Sequence, residues 1–149
     1  MTVWAPGISI EDALQALARH HIRPRHSDAR EFAERAQILL ARHEPSELDL
    51  DISLAWLPFE EQALARATPI ELDGVSIPTA HVEDLIVYKF VAWRERDRTD
   101  IERLLVAHGA TMDLDRVRRW VRQFAELLEE PERLDGFEAI VRRAQGLDE

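Results

Sequence analysis

Two aspartates in an alternating segment are the first residues whose type and spacing could do chemistry. Asp49 and Asp51 alternate with the aliphatic residues of segment 48–54, and a period of two predicts a β-strand. Both carboxylates then lie on one face, about 7 Å apart at the backbone. Such a pair could share Mg²⁺, as phosphoryl and nucleotidyl transfer require, or could simply face water. The alternation alone favours the solvent-facing interpretation.

The only lysine of the chain is the next candidate, since all but one of the 19 basic residues are arginine. Lys89 lies in the most apolar stretch of the sequence, where an unpaired ammonium is costly, so it must reach solvent or pair with an anion. On a continuous helix, Trp93, Arg96 and Asp100 lie on one line with this lysine. That cationic strip suits a phosphate-bearing ligand. The alternative is a structural ion pair from Lys89 to Asp97 or Asp100.

The elements that must position these residues predict an α/β (α+β) fold. The patterns predict a helix from Ser9 to a stop at Pro24, then a helix at 28–36, strands at 37–42 and 48–54, a helix at 58–67 and a hairpin turned by Asp73-Gly74. Helices are predicted at 81–96, 98–108, 114–128 and 131–145. The third of these has an apolar stripe, and we expect a solvated face to carry Arg116, Arg118, Arg119 and Arg122.

These elements predict a single domain over residues 1–149. Residues 1–80 are predicted to hold a small mixed sheet with flanking helices, and residues 81–149 to form a helical layer. The chain has no cysteine, no signal-peptide pattern and no apolar run long enough to span a bilayer, so we expect a cytoplasmic protein. The net charge of −10 argues against a broad nucleic-acid surface, and no Gly-rich phosphate loop is present.

Two sequence blocks, residues 50–61 and 82–101, together resemble the nucleotidyltransferase-fold family that includes the AbiEii-like toxins of type IV toxin–antitoxin systems. In the first block a strand Asp is followed by Pro-Phe-Glu. In the second a Glu-Asp-Leu helix carries a lysine and then an Arg…Asp…Asp pattern. The resemblance covers about residues 3 to 141, and the lysine-helix block is its more specific region.

The resemblance implies roles for several candidates. Asp51 matches a catalytic carboxylate that binds Mg²⁺. The family pattern leaves the role of Asp49 open, and its position beside Asp51 makes it a second candidate metal ligand. Lys89 matches a catalytic lysine that approaches the nucleotide phosphates. Arg94, Asp97 and Asp100 match the residues that follow this lysine, and their implied role is partly structural. Arg94 and, from the cationic strip, Arg96 are the candidate nucleotide-binding residues beside Lys89.

One segment of the family pattern has no counterpart. Family members begin with a Gly-Ser turn and a strand carrying Asp-x-Asp, whereas Val3-Trp4-Ala5-Pro6 resembles the segment just beyond that strand. The chain is then either shortened or a degenerate relative. We expect weak metal binding and an open sheet edge that favours a homo-oligomer.

Two functions are compatible with these observations. The first is Mg²⁺-dependent transfer of a nucleoside monophosphate from an NTP to an unknown acceptor in the complete form, with weak or no activity in this chain. The second is a non-catalytic interaction module, a degenerate nucleotidyltransferase of toxin–antitoxin type. The expected partners are an NTP, a second copy of the chain and an antitoxin-type protein, with nucleic acid only as an acceptor and no membrane.

Overall fold

The chain folds as an α+β protein in two compact units, residues 1–64 and 65–149. The computed structural model describes residues 2–3, 9–54 and 57–147. Trp4, Ala5 and Pro6, which the sequence analysis compares with one segment of the family pattern, lie outside the described residues. The boundary between the units falls at 64/65, whereas the sequence patterns change from α/β to helical at 80/81. The prediction of a single domain stays a prediction.

The first unit is built on a small mixed sheet. Its elements are β1 (Thr2–Val3), α1 (Ile10–Ala18), β2 (Ile22–Pro24), α2 (Ala29–Ala36), β3 (Ile38–His43) and β4 (Leu48–Leu54), and α3 (Pro58–Arg66) follows. The strand order is β1-β4-β3-β2. The two-residue β1 runs parallel to β4, and the other neighbours are antiparallel. A short 3-10 turn, Glu44–Ser46, closes the predicted hairpin between β3 and β4.

Alternation along β4 divides the sheet into an apolar and a polar face, as the sequence predicts. Ile52 is buried and pairs with buried Leu39 of β3, and both pack with Ala29 and Ala33 of α2 in the core. The other face of β4 carries the two aspartates and Ser53. The antiparallel pairing of β3 and β4 therefore fixes where the acids lie.

The prediction that the first helix continues to a stop at Pro24 is wrong. The helix ends at Ala18, and His21 adopts a positive φ of 57° that an α-helix cannot continue. The next residues form edge strand β2, where Ile22 pairs with His43. Ile22 still packs against the core, which explains why its apolar side chain fits a helical pattern in the sequence. Proline is tolerated in β2 because it is an edge strand.

The second unit is a hairpin followed by helices. Its elements are β5 (Thr68–Leu72), β6 (Val75–Thr79), α4 (Val82–Ala92), α5 (Glu95–His108), α6 (Leu114–Leu127) and α7 (Glu132–Ala144). The helical core consists mainly of fully buried side chains, among them Ile86, Phe90, Ile101, Val117, Val121 and Phe137. Within the described residues, no helix combines the length and the apolar composition needed to cross a bilayer.

The predicted continuous helix over 81–96 is also wrong. Helix α4 ends at Ala92 because Trp93 adopts a left-handed conformation with φ of 50°. The chain then restarts at α5, whose first turn is capped where Asp97 accepts a hydrogen bond from the backbone of Arg94 at 3.2 Å. The single cationic line of Lys89, Trp93, Arg96 and Asp100 therefore does not exist, because a helix break separates its members.

Candidate functional site

The two candidate metal ligands lie side by side on the polar face of the first unit. Their side chains are half exposed in Asp49, at 43%, and largely exposed in Asp51, at 70%. The strand register places Asp49 opposite Arg42 and Asp51 opposite Leu40 on β3. Two neighbouring carboxylates repel each other unless a cation lies between them.

Arginine supplies that cation. Arg25, just after β2, reaches across the sheet so that its Nη1 lies 3.2 Å from Asp49 Oδ2 while its Nη2 donates to Asp51 Oδ1. Arg42 Nε donates to the other oxygen of Asp49 at 2.7 Å. The hydrogen bond from Arg42 is the main reason why the pKa of Asp49 lies below its ordinary value of 3.8, and Arg25 adds to the effect. Both acids therefore already have counter-charges.

This arrangement does not fit Mg²⁺. The metal takes oxygen ligands at about 2.0–2.1 Å in octahedral geometry and is repelled by a guanidinium close to the same oxygens. Among the residues that the structure describes, no three Asp, Glu or His side chains come together as a metal site needs. No chemical step is therefore assigned to a metal, and magnesium binding stays a prediction.

Lys89 lies in the second unit, with its ammonium between two carboxylates. Its Nζ donates to Asp100 Oδ2 at 2.6 Å and lies 3.7 Å from Asp97 Oδ1, and its side chain is 22% exposed. The turn at Trp93 brings both acids of α5 back toward the lysine on α4. The sequence alternative of a local ion pair therefore describes the contacts of Lys89.

Further cations surround this ion pair. The hydrogen bond from Lys89 is the largest cause of a lowered pKa at Asp100, and the charges of Arg103 and Arg96 lower it further. Arg96, Thr99 and Arg103 line an open surface groove of about 360 Å³ together with Glu95 and Asp100. Arg94 is exposed at the start of α5. The groove is therefore one place in the described part of the second unit where an anionic ligand would meet two arginines.

A family model matches most of the chain and shows which protein family it belongs to. A family model described as "Nucleotidyltransferase of unknown function (DUF6036)" matches residues 23–141, well over half of the chain. The chain belongs to this family. A search of curated proteins finds no match. The matched span contains both the arginine-bound aspartates of the first unit and the lysine site of the second.

A buried charge cluster explains the Glu-Asp-Leu motif of this nucleotidyltransferase sequence. Asp84 is fully buried, and its Oδ1 accepts from Arg116 Nη2 at 3.0 Å. The Nε of Arg66 lies 3.8 Å from its other oxygen. Glu83 accepts from the backbone of Asp113 at 3.1 Å, so it joins the start of α4 to the start of α6. The expectation that Arg116 lies on a solvated face is wrong, because it is the counter-charge of Asp84.

Sequence reasoning also missed Arg25, which holds both candidate metal ligands. The sequence pattern places this residue after a helix rather than after an edge strand, so no register relates it to the acids. A signal is present, since Arg23 and Arg25 flank Pro24 and alternate as strand residues do. Alternation over three residues is too short to establish a strand.

Proposed function

We propose that the chain is a nucleotide-binding member of its nucleotidyltransferase family, in which the phosphates of an NTP meet Lys89 and the arginines that follow it. The observation that carries this proposal is the family match over residues 23–141. The reaction of such a protein joins an acceptor oxygen to the α-phosphorus of the NTP. The bond from that phosphorus to the bridging oxygen breaks, and pyrophosphate leaves.

The contacts of Lys89 support phosphate recognition. Its partner Asp100 is partly exposed, at 38%, and both this carboxylate and a phosphate are anions that accept hydrogen bonds from the same ammonium. A phosphate can therefore take the place of Asp100 on Lys89 without leaving the lysine unpaired. Arg96 and Arg103 lie in the adjoining groove, where they would meet the remaining phosphate charge.

The transfer activity of this chain alone is proposed to be weak or absent. The candidate metal ligands, Asp51 from the family resemblance and its neighbour Asp49, are held by Arg25. A metal that activates the attacking oxygen would have to displace this guanidinium. Nucleotide binding by Lys89 and the adjoining arginines does not require that displacement. Binding is therefore the property to test first.

The test is titration calorimetry with each of the four NTPs, in EDTA and then in excess Mg²⁺. We expect the wild-type protein to bind NTP. Lys89→Ala should weaken this binding at least about tenfold, because it removes a charge-assisted phosphate contact worth about 1.5–3 kcal/mol. Arg119→Ala is the matched control, because it removes one exposed cation from α6 outside the groove. Wild-type affinity in this control would show that the loss is specific to Lys89.

Two outcomes would contradict the proposal. Folded wild-type protein that binds no NTP under either condition would exclude a working nucleotide site in this chain. Equal weakening by Lys89→Ala and Arg119→Ala would mean that only the overall charge matters. Circular dichroism of each variant establishes that it is folded before titration.

The second candidate is a non-catalytic interaction module. An exposed aliphatic face on the β5–β6 hairpin is the observation that favours it, since such faces mark protein-binding surfaces. The proposed partners are a second copy of the chain or an antitoxin-type protein. The toxin–antitoxin role rests on the resemblance alone. A chain that binds no NTP but self-associates would favour this candidate.

A further inference from the structure

A single arginine contacts both candidate metal-binding acids, Asp49 and Asp51. The backbone of Arg25 donates to Leu40 at 3.0 Å, which continues the pairing of β2 with β3 by one residue. Its side chain then crosses β3 and reaches Asp49 with Nη1 and Asp51 with Nη2. The two ends of one rigid guanidinium fork thus contact two carboxylates.

The position of this guanidinium is defined by the sheet. The Arg25 side chain is only 26% exposed, although it lies over a polar face, and its Nε is inaccessible to solvent. Arg42 lies on β3, between β2 and β4, and also contacts Asp49. Two arginines therefore contact this acid. A flexible surface arginine extended into water would have neither such low exposure nor an inaccessible Nε.

We propose that Arg25 is the built-in counter-cation of the Asp49–Asp51 pair and excludes divalent metal from it. A carboxylate pair two residues apart on a strand is otherwise a suitable partial ligand set for a hard cation. The guanidinium hydrogen-bonds one oxygen of each acid and places its positive charge beside both carboxylates. This inference does not depend on nucleotide binding, because it concerns only the acid pair and Arg25.

The inference predicts that removing the charge of Arg25 creates a metal site. Mn²⁺ is the probe, and the loss of its free-ion electron paramagnetic resonance signal measures binding without any activity assay. Wild-type protein is expected to have no Mn²⁺ site that depends on Asp51, so the Asp51→Asn variant should give the same titration as wild type. Arg25→Gln is expected to bind Mn²⁺ with an affinity at least about tenfold above the upper limit set by the wild-type titration, since one nearby positive charge is lost. Adding Asp51→Asn to Arg25→Gln should abolish the gain.

Arg23→Gln is the matched control. Arg23 lies on the same edge strand and pairs with Glu44 at 3.7 Å, so this variant also removes one positive charge and one ion pair near the sheet. It should titrate like wild type. If Arg25→Gln does not fold, Arg25→Lys retains the charge and should still exclude Mn²⁺.

Three results would overturn the inference. Wild-type protein could bind Mn²⁺ in a manner that Asp51→Asn removes, which would mean that the guanidinium does not exclude metal. Folded Arg25→Gln could show no gain in affinity. A gain of equal size in Arg23→Gln would assign the effect to net charge rather than to Arg25. A failure of the NTP titration would leave all three results unchanged.

Discussion

The second unit contains several ion pairs between an arginine and a carboxylate. The pair of Arg118 and Glu138 has the most regular geometry of those described. Nε and Nη2 of Arg118 each donate to one oxygen of Glu138 at 2.9 Å, which is a two-bond fork between α6 and α7. The fork holds the pKa of Glu138 below its ordinary value of 4.5. Folding therefore favours the ionised form of this carboxyl group.

This shift predicts how stability depends on pH. A carboxyl whose pKa is lower in the folded state stabilises that state above its unfolded pKa, and the contribution disappears as the pH falls through the folded value. Glu138→Gln should therefore lower the free energy of unfolding at pH 7 by roughly 0.5–1 kcal/mol. The difference from wild type should shrink steadily as the pH falls below 4.5. Urea unfolding followed by circular dichroism measures both quantities.

Glu126→Gln provides the control for this experiment, because Glu126 is exposed on the same helix as Arg118. It should change the unfolding free energy little at any pH. A Glu138→Gln deficit that stays constant from pH 7 into the acid range would mean that the fork acts through packing and not through charge.

The sequence predicted the single residues of the site better than it predicted their partners. Period-two alternation placed Asp49 and Asp51 on one face, and the cost of burying an ammonium identified Lys89 as a residue that must reach solvent or pair with an anion. The partners Arg25 and Arg116 depend on contacts between distant segments. No local pattern contains that information, because strand register and helix packing decide it.

Among the elements, α7 approaches the residue that ends α4 closely at one position. Gly136 lies within α7, and a Cβ built there would come within 2.8 Å of Trp93 Cζ2. Trp93 also packs edge-on against Phe90, whose ring contacts Phe137 in the same way. The absence of a side chain at Gly136 therefore allows the indole to close the helix break between α4 and α5.

This packing reverses an ordinary helix rule. Gly→Ala inside a helix usually stabilises a protein by about 0.5–1 kcal/mol, because alanine restricts the unfolded chain. Gly136→Ala should instead destabilise the second unit by about 1–3 kcal/mol, since the new methyl overlaps an aromatic ring held on several sides. Urea unfolding followed by tryptophan fluorescence and circular dichroism measures the change.

A double-mutant cycle separates this overlap from helix propensity. In a Trp93→Leu background the clashing ring is absent, so Gly136→Ala should become neutral or stabilising by up to about 1 kcal/mol. If the substitution costs the same in both backgrounds, the contact with Trp93 is not its cause.

Elements with strong local signals were predicted close to their observed bounds. Helices α5, α6 and α7 and the strands β3 and β4 have long apolar periods and recognisable caps or turns. The errors fall at the ends of α1 and α4, where His21 and Trp93 adopt positive φ. A positive φ is uncommon for residues other than glycine, and no glycine marks either position, so the sequence did not reveal these ends.

At the scale of the whole molecule, a net charge of −10 makes two copies of the chain repel each other. An apolar surface on the β5–β6 hairpin favours self-association instead. The hairpin of β5 and β6 is turned by Asp73 and Gly74, both with positive φ as a tight type I′ turn requires. Isolated two-stranded hairpins are marginal in water unless their apolar face is covered. The face of this hairpin is formed by paired aliphatic side chains, Ile70 with Ile77 and Leu72 with Val75.

These four side chains are each between 42% and 60% exposed, and strand alternation puts them on the same face. We therefore expect the chain to self-associate through this face, with a dimer fraction that rises with concentration in sedimentation velocity experiments. Leu72→Thr combined with Val75→Thr should weaken the dimer at least about tenfold, because apolar area is removed from both copies. Glu71→Thr with Ser76→Thr changes the opposite face of the same hairpin and should leave association intact. A strictly monomeric wild type, or equal weakening by both double variants, would show that the hairpin face does not join two copies.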